Sequence, residues 1–332
     1  MVVDFPERVV HGGTGKRQRE KTRKNLLDFS ASVNPLPPSF AWSCDMACLS
    51  QYPDNDYTLI KETIARTFHR RPDEVCVGNG SMELIRVFCS IMLDSAKKYC
   101  TESPTFGEYS LSARLAGANA TLSCNRADVS FVCNPNNPSG VLRRRDDLIA
   151  HVNEMASHGG MVFLDEAFIE LADPKQSLID VRNRDLFVLR SLTKSFAVPG
   201  IRFGYAFGDP DLVDKMEIAR PPWSVNAYAE AFALEAFRYM DMLKSSREFI
   251  KKEREWLGSG IEASGLHCYP SSANYLLVEC GQDVAPLCAQ LECAGILVRN
   301  CTSFGLPTCI RVAVRSHEEN DALVEALLAC VR

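Results

Sequence analysis

The run SMELIRVFCSIML at 81–93 places Leu84, Ile85, Phe88, Ile91 and Met92 on helical spacing and predicts an amphipathic helix. Three short apolar runs follow with a different texture: Val129–Cys133, Met161–Leu164 and Leu186–Leu189. Each ends in polar or Gly/Pro-rich sequence, as strands do. Helical stretches, such as Asp146–Ser157, lie between some of them. From about 50 to 225 this alternation predicts an α/β sheet, mostly parallel. From about 226 the pattern changes. A long helical region, Asn226 to Leu257, precedes strand-like pieces at Asn274–Val278, Gly295–Arg299 and Cys309–Val314, and a last helix at His317–Leu328. That pattern describes a smaller α/β domain attached by a long helix.

Composition narrows the classes. A chain of 332 residues has room for about two domains. A hydrophobic content of 46% with 24% charged residues fits a soluble globular protein. The formal net charge of −5 argues against bulk nucleic-acid binding. The basic run KRQREKTRK at 16–24 has no interleaved aromatics and reads as a solvated segment. No apolar run is long enough to span a bilayer, and the N-terminus carries Asp4 and Glu7 without an apolar signal core. The expectation is a cytoplasmic protein with neither nucleic acid nor membrane as partner. Fourteen cysteines are scattered without a CxxC pair. They read as reduced thiols packed as small hydrophobes, not as a disulfide framework, and no metal site is expected.

Four motifs fall at strand ends or helix starts. In VGNGSMEL (77–84), two glycines and a serine precede the amphipathic helix, where unpaired N–H groups and the dipole favour an anion. In CNPNNPSG (133–140), prolines and a glycine force an irregular loop that carries three asparagine amides. In MVFLDEAF (161–168), Asp165 follows four apolar residues and sits at the mouth of a buried strand. A carboxylate there is costly unless it meets a cation or strong donors, and a helix cap is the alternative reading. In SLTKSFAVPGIRFGY (191–205), Lys194 stands among hydroxyls at a strand end, with Arg202 beyond it. A buried lysine near other cations loses its proton easily and attacks carbonyls, and an arginine grips phosphate as a fork. Together the four supply what pyridoxal phosphate requires, including a Schiff-base lysine and a carboxylate for the pyridinium.

These motifs resemble the fold-type I pyridoxal-phosphate enzymes of the class I/II aminotransferase group, from His11 to the C-terminus. NPNNPSG, DEAF and SLTK with its arginine resemble the histidinol-phosphate aminotransferase branch. RSLTKSFAVPGIRFGY, PPWSVNA (221–227), HGG (11–13), DFSASVNPL (28–36) and the phenylalanine at 168 more closely resemble the threonine-phosphate decarboxylases of cobalamin biosynthesis. The resemblance implies a large domain with a mostly parallel seven-stranded sheet over 46–230, a smaller α/β domain over 231–332, and an N-terminal segment over 1–45 that joins the small domain and the active site. It implies that Lys194 anchors pyridoxal 5'-phosphate and returns a proton after bond cleavage, while Asp165 pairs the ring nitrogen. Asn137 would bond the phenolic oxygen and Phe106 stack on the ring. Gly80, Ser81 and Met82 would hold the phosphate with Ser191 and Arg202. Tyr52 would reach the neighbouring site of a homodimer. Arg299, Arg311, His11 and Asn34 would contact a small phosphorylated amino-acid substrate. The expected reaction is decarboxylation of L-threonine O-3-phosphate, with histidinol-phosphate amino transfer or a serine-phosphate preference as alternatives. The segment after HGG is shorter and more basic than the family's usual helix, which bears on the N-terminal substrate contacts and not on the cofactor site.

Overall fold

The computed structural model describes residues 5–13 and 26–331. The basic run at 16–24 lies outside the described residues. After a short strand β1 (Leu27–Asp28), seven strands build one sheet: β2 (Val75–Asn79), β3 (Lys98–Thr101), β4 (Asn119–Ala120), β5 (Val129–Cys133), β6 (Met161–Asp165), β7 (Leu186–Ser191) and β8 (Phe203–Phe207). Their order is β2-β8-β7-β6-β5-β3-β4. Paired neighbours run parallel except at β8, which is antiparallel to both β2 and β7. A mostly parallel sheet was the expectation. The second sheet joins β9 (His267–Cys268), β10 (Tyr275–Glu279), β12 (Arg299–Asn300) and β13 (Cys309–Ala313) in antiparallel order β12-β13-β10-β9, while β11 (Ile296–Leu297) pairs with β1.

Strands β5, β6 and β7 are buried along their whole length because helices cover both faces. The helices are α1 (Thr58–Thr67), α2 (Ser81–Met92), α3 (Glu108–Leu115), α4 (Arg145–Ser157), α5 (Leu192–Ser195), α6 (Pro210–Ala219), α7 (Ala227–Ala236), α8 (Leu243–Ala263), α9 (Ala285–Cys293) and α10 (His317–Val331). Phe131, Phe163 and Phe187 meet α2, α3 and α6 on one face. Val132, Val162, Leu164 and Val188 meet α4 on the other. This two-sided cover makes the strands read as unbroken apolar runs.

Two expected elements are divided. The helical region from Asn226 is split by a tight turn at Phe237–Met242. Phe237 packs in the core under the large sheet, whereas Leu257 and Ile261 pack in the core of the small one, so the chain turns between two cores. The piece at 295–299 leaves β1 after Leu297 and joins β13 at Arg299. One cysteine expectation is corrected. Cys100 and Cys124 form a disulfide, with Cα atoms 5.5 Å apart, and the other twelve are free. Their separation of 24 residues hid a contact that arises only when β3 and the turn at Cys124–Arg126 pack together. Among the described residues no helix is long and apolar enough to cross a membrane.

Behind the carboxyl ends of β6 and β7 lies a buried ionic cluster. Arg190 Nε donates to Glu166 Oε2 at 2.8 Å, Nη1 meets Glu170, and Nη2 donates to Ser177 Oγ at 2.7 Å. Glu166 also accepts from Ser177 Oγ (2.7 Å) and Leu178 N (2.8 Å). Removing one partner of a buried ion pair strands the other charge. Arg190→Met is therefore expected to lower the unfolding free energy by about 3–5 kcal/mol, read from chemical denaturation. A loss within error would show that the cluster does not hold the strands.

Candidate active site

A cavity of about 540 Å³ opens at the carboxyl ends of the central strands, where ligands bind in parallel sheets. Asp165 ends β6 and Ser191 ends β7. Lys194 follows one turn later on α5, and Asn137 lies in the loop after β5. From the second sheet come Arg299 and Arg311, and from the N-terminal segment come His11 and Ser30.

One wall is an anion cradle. Ser81 starts the twelve-residue α2, whose leading N–H groups have no partner within the helix. Arg202 shares this wall. Gly80 has φ +76, and a Cβ there would lie 2.3 Å from Arg202 Nη2. Beneath it, a Cβ on Gly204 would lie 2.4 Å from Ser81 N. Two glycines thus allow the guanidinium, β8 and the helix start to stack closely.

Deeper in, Lys194 faces the cavity with its amine lowered to about 8, first by burial and then by Arg311 and Arg202. Its Nζ is 5.6 Å from the centre of the Phe168 ring. Asp165 is 4% exposed. Its Oδ2 accepts from the Tyr109 hydroxyl at 2.7 Å and its Oδ1 from Ala167 N at 2.9 Å. Burial raises this carboxyl, while those two donors and Lys194 oppose the rise. Asn137 Oδ1 accepts from Arg311, and that contact leaves both N–H groups of its amide as donors. Phe106 lies edge-on to Tyr109 with ring centres 5.4 Å apart.

The opposite wall holds two guanidiniums. Arg299 and Arg311 are direct partners across the β12–β13 register, and each is 6% exposed. Arg299 donates to Asn300 O and Val10 O, both at 2.8 Å, and to Ser303 Oγ at 2.5 Å. Arg311 donates to Asn137 and, at 3.1 Å, to Ser30 O, and it stands over the Tyr275 ring. Its buried Nε has no partner among the described residues. Neither arginine pairs with a carboxylate there, and burial lowers both, with Arg311 adding to the effect on Arg299. At the rim, His11 Nε2 meets Glu108 Oε1 at 2.7 Å, and Arg86 donates to Glu108 Oε2 at 2.8 Å.

The fold therefore brings Ser81, Met82, Phe106, Asn137, Asp165, Ser191, Lys194, Arg202, Arg299, Arg311 and His11 around one cavity, with Gly80 beneath its wall. Two residues sit elsewhere. Asn34 is a strut: its Nδ2 donates to Ser195 O (2.7 Å) and Ser246 Oγ (3.0 Å), and its Oδ1 accepts from Leu36 N. Both N–H donors of that side chain are spent within the fold, and it does not line the cavity. Tyr52 is 79% exposed and lies against Trp223, with ring centres 4.5 Å apart. Sequence reasoning missed Tyr109 and Gly204. Tyr109 stands three residues after Phe106 in SPTFGEY, in the first turn of α3, just beyond the loop that carries Phe106.

The lowered lysine has a thermodynamic consequence. The unfolded chain holds the Lys194 proton up to the ordinary value of 10.5, while the folded chain releases it near 8. Stability therefore rises with pH across that window, and the full penalty for the charged amine is present below 8. Lys194→Met is expected to make the cofactor-free protein more stable than the parent below pH 8, with the gain fading toward pH 10.5. Calorimetric unfolding across that range checks it, and a gain independent of pH would contradict it.

Comparison with known proteins places this geometry. The family "Aminotransferase class I and II" matches residues 44–327. A histidinol-phosphate aminotransferase of Symbiobacterium thermophilum is 30% identical, with 95% of this chain and 93% of that protein covered. A protein of Caldanaerobacter subterraneus subsp. tengcongensis, provisionally named a threonine-phosphate decarboxylase, is 34% identical over 90% of this chain and 88% of its own length. The name histidinol-phosphate aminotransferase is the commoner among the similar proteins. A histidinol-phosphate aminotransferase of Sinorhizobium meliloti, solved in complex with pyridoxal-5'-phosphate, superposes with a TM-score of 0.84 at 19% identity, covering 96% of this chain and 94% of that one. The fold is that of the fold-type I enzymes, and the chain belongs to the class I and II aminotransferase family.

Proposed function

We propose that this protein is a pyridoxal-phosphate-dependent decarboxylase of L-threonine O-3-phosphate, yielding an aminopropanol phosphate for cobamide assembly. The observation that carries the substrate class is the pair Arg299 and Arg311, two buried guanidiniums side by side with no carboxylate partner among the described residues. Such a pair favours a multiply charged anion. The remaining groups fit the cofactor. The Gly80-Ser81 wall with Arg202 suits its phosphate, the open N–H donor of Asn137 its phenolic oxygen, Asp165 its ring nitrogen and Lys194 its aldehyde.

When bound, pyridoxal phosphate supplies an electron sink for the pair released at Cα. The protein decides which bond at Cα gives up that pair. Arginines that grip the substrate phosphate, remote from Cα, fix the rotation about Cα and can hold the carboxylate group out of the ring plane. Lys194, near 8, is poised to hold or return a proton at Nζ. A hydrophobic neighbour, Phe168, faces that amine without offering it a hydroxyl. Decarboxylation is favoured over amino transfer by the wording of 190–205 and 221–227 and by the 34% identity to the provisionally named decarboxylase. Histidinol-phosphate amino transfer is the second reading, supported by the commoner name among the relatives. We place Tyr52, with Trp223, at the contact of a homodimer, reaching the neighbouring site; sedimentation as a monomer would remove that element.

Two measurements test the reading. Holoenzyme with threonine phosphate is expected to release CO₂ without an oxo-acid. Glutamate formed from histidinol phosphate and 2-oxoglutarate, without CO₂ release, would replace the decarboxylase by the aminotransferase. Arg311→Ala is expected to weaken threonine-phosphate binding on the order of 30-fold or more, the scale for losing one partner of a buried charged pair. Unchanged affinity would remove Arg311 from the phosphate clamp.

A further inference from the structure

We infer that Tyr109 is a positioning residue: its phenol keeps the Asp165 carboxylate ionised and aimed into the cavity, ready for a cationic ring nitrogen. The inference rests on the cofactor reading above only for what Asp165 meets. The contact itself is independent of it.

Tyr109 is fully buried. Its ring is stacked on Phe131, with centres 5.4 Å apart and planes 8° apart, and Phe106 packs against it edge-on. Those rings fix where the hydroxyl points. It points at Asp165 Oδ2, 2.7 Å away. Burial holds the phenol's own ionisation well above its usual range, so it stays protonated and donates. An ionised carboxylate only accepts, so this bond stabilises the charged form of Asp165 and disfavours the neutral one.

The other groups facing Asp165 do not replace this donor. Ala167 N–H serves the other oxygen. Lys194 on α5 also favours the carboxylate, but only while it carries its proton. The Cys133 thiol, at the end of β5, is pushed up to about 12 by burial and donates to Pro135 O at 3.3 Å. Tyr275 on β10 is also kept neutral by burial, and its hydroxyl donates to Asn136 O at 2.8 Å. A phenylalanine at 109 would fill the same volume between Phe131 and Phe106. The hydroxyl therefore does something that packing does not require.

Tyr109→Phe tests this with little risk to the fold. In cofactor-free protein the Asp165 carboxyl can be titrated by difference infrared spectroscopy against Asp165→Asn. The titration is expected to move up by roughly one to two pH units in Tyr109→Phe, the scale of one hydrogen bond to a charged group. The acid limb of pyridoxal-phosphate binding, followed by absorbance, should move up with it. A merely structural hydroxyl would lower the melting temperature and leave both curves in place, which overturns the inference. Failure of the parent protein to bind pyridoxal phosphate would remove the cofactor reading, and the carboxyl titration would still decide the role of Tyr109.

Discussion

Among the described residues, four Lys and Arg side chains, Lys194, Arg202, Arg299 and Arg311, line a cavity that only Asp165 and Asp28 supply with carboxylates. Asp28 is already engaged by Ser30, through its backbone N–H and its hydroxyl. In a partly closed space of low polarity the repulsion among cations is not screened as it is in water. Burial first, and then Arg311 and Arg202, let Lys194 give up its proton near 8, while the guanidiniums stay charged. What remains is a demand for anions at two walls, the cradle of Ser81 with Arg202 and the pair Arg299 with Arg311. Cofactor phosphate and substrate phosphate are the anions the proposed activity would bring to them.

The fold maintains this tension by using strand alternation twice. At the ends of β6 and β7, Asp165 and Ser191 line the cavity, while their neighbours Glu166 and Arg190 meet each other in the buried cluster behind. The same two strand ends thus carry both cavity-lining groups and the buried ionic cluster behind them. The N-terminal segment adds a second tie. Phe29 N donates to Leu297 O of β11, its carbonyl accepts from Ala313 N of β13 in the smaller sheet, and a few residues later Asn34 N donates to Lys194 O. One stretch of chain therefore spans from the arginine wall to the lysine.

Much of this was legible in the sequence because its causes are local. Strands covered on both faces read as apolar runs, and the cradle, the asparagine loop, Asp165 and Lys194 each sit in a short motif at a strand end. What escaped depends on register and packing. Nothing in the spacing of Arg299 and Arg311 says that they are partners across two antiparallel strands. The bond from Tyr109 to Asp165 spans 56 residues. Asn34 carried a polar side chain near the expected site, yet the fold turns it to Ser195, Ser246 and Leu36. The Cys100–Cys124 disulfide likewise follows from how two short elements meet.

The claim that burial and excess positive charge together set the state of the cavity can be put to Lys194 directly. Nitrogen-detected NMR of selectively labelled lysine, with Lys194→Met for assignment, gives its titration in cofactor-free protein. The account predicts a midpoint near 8, moving upward when inorganic phosphate fills the cradle and offsets the neighbouring guanidiniums. A midpoint at the ordinary lysine value of 10.5, indifferent to phosphate, would contradict it.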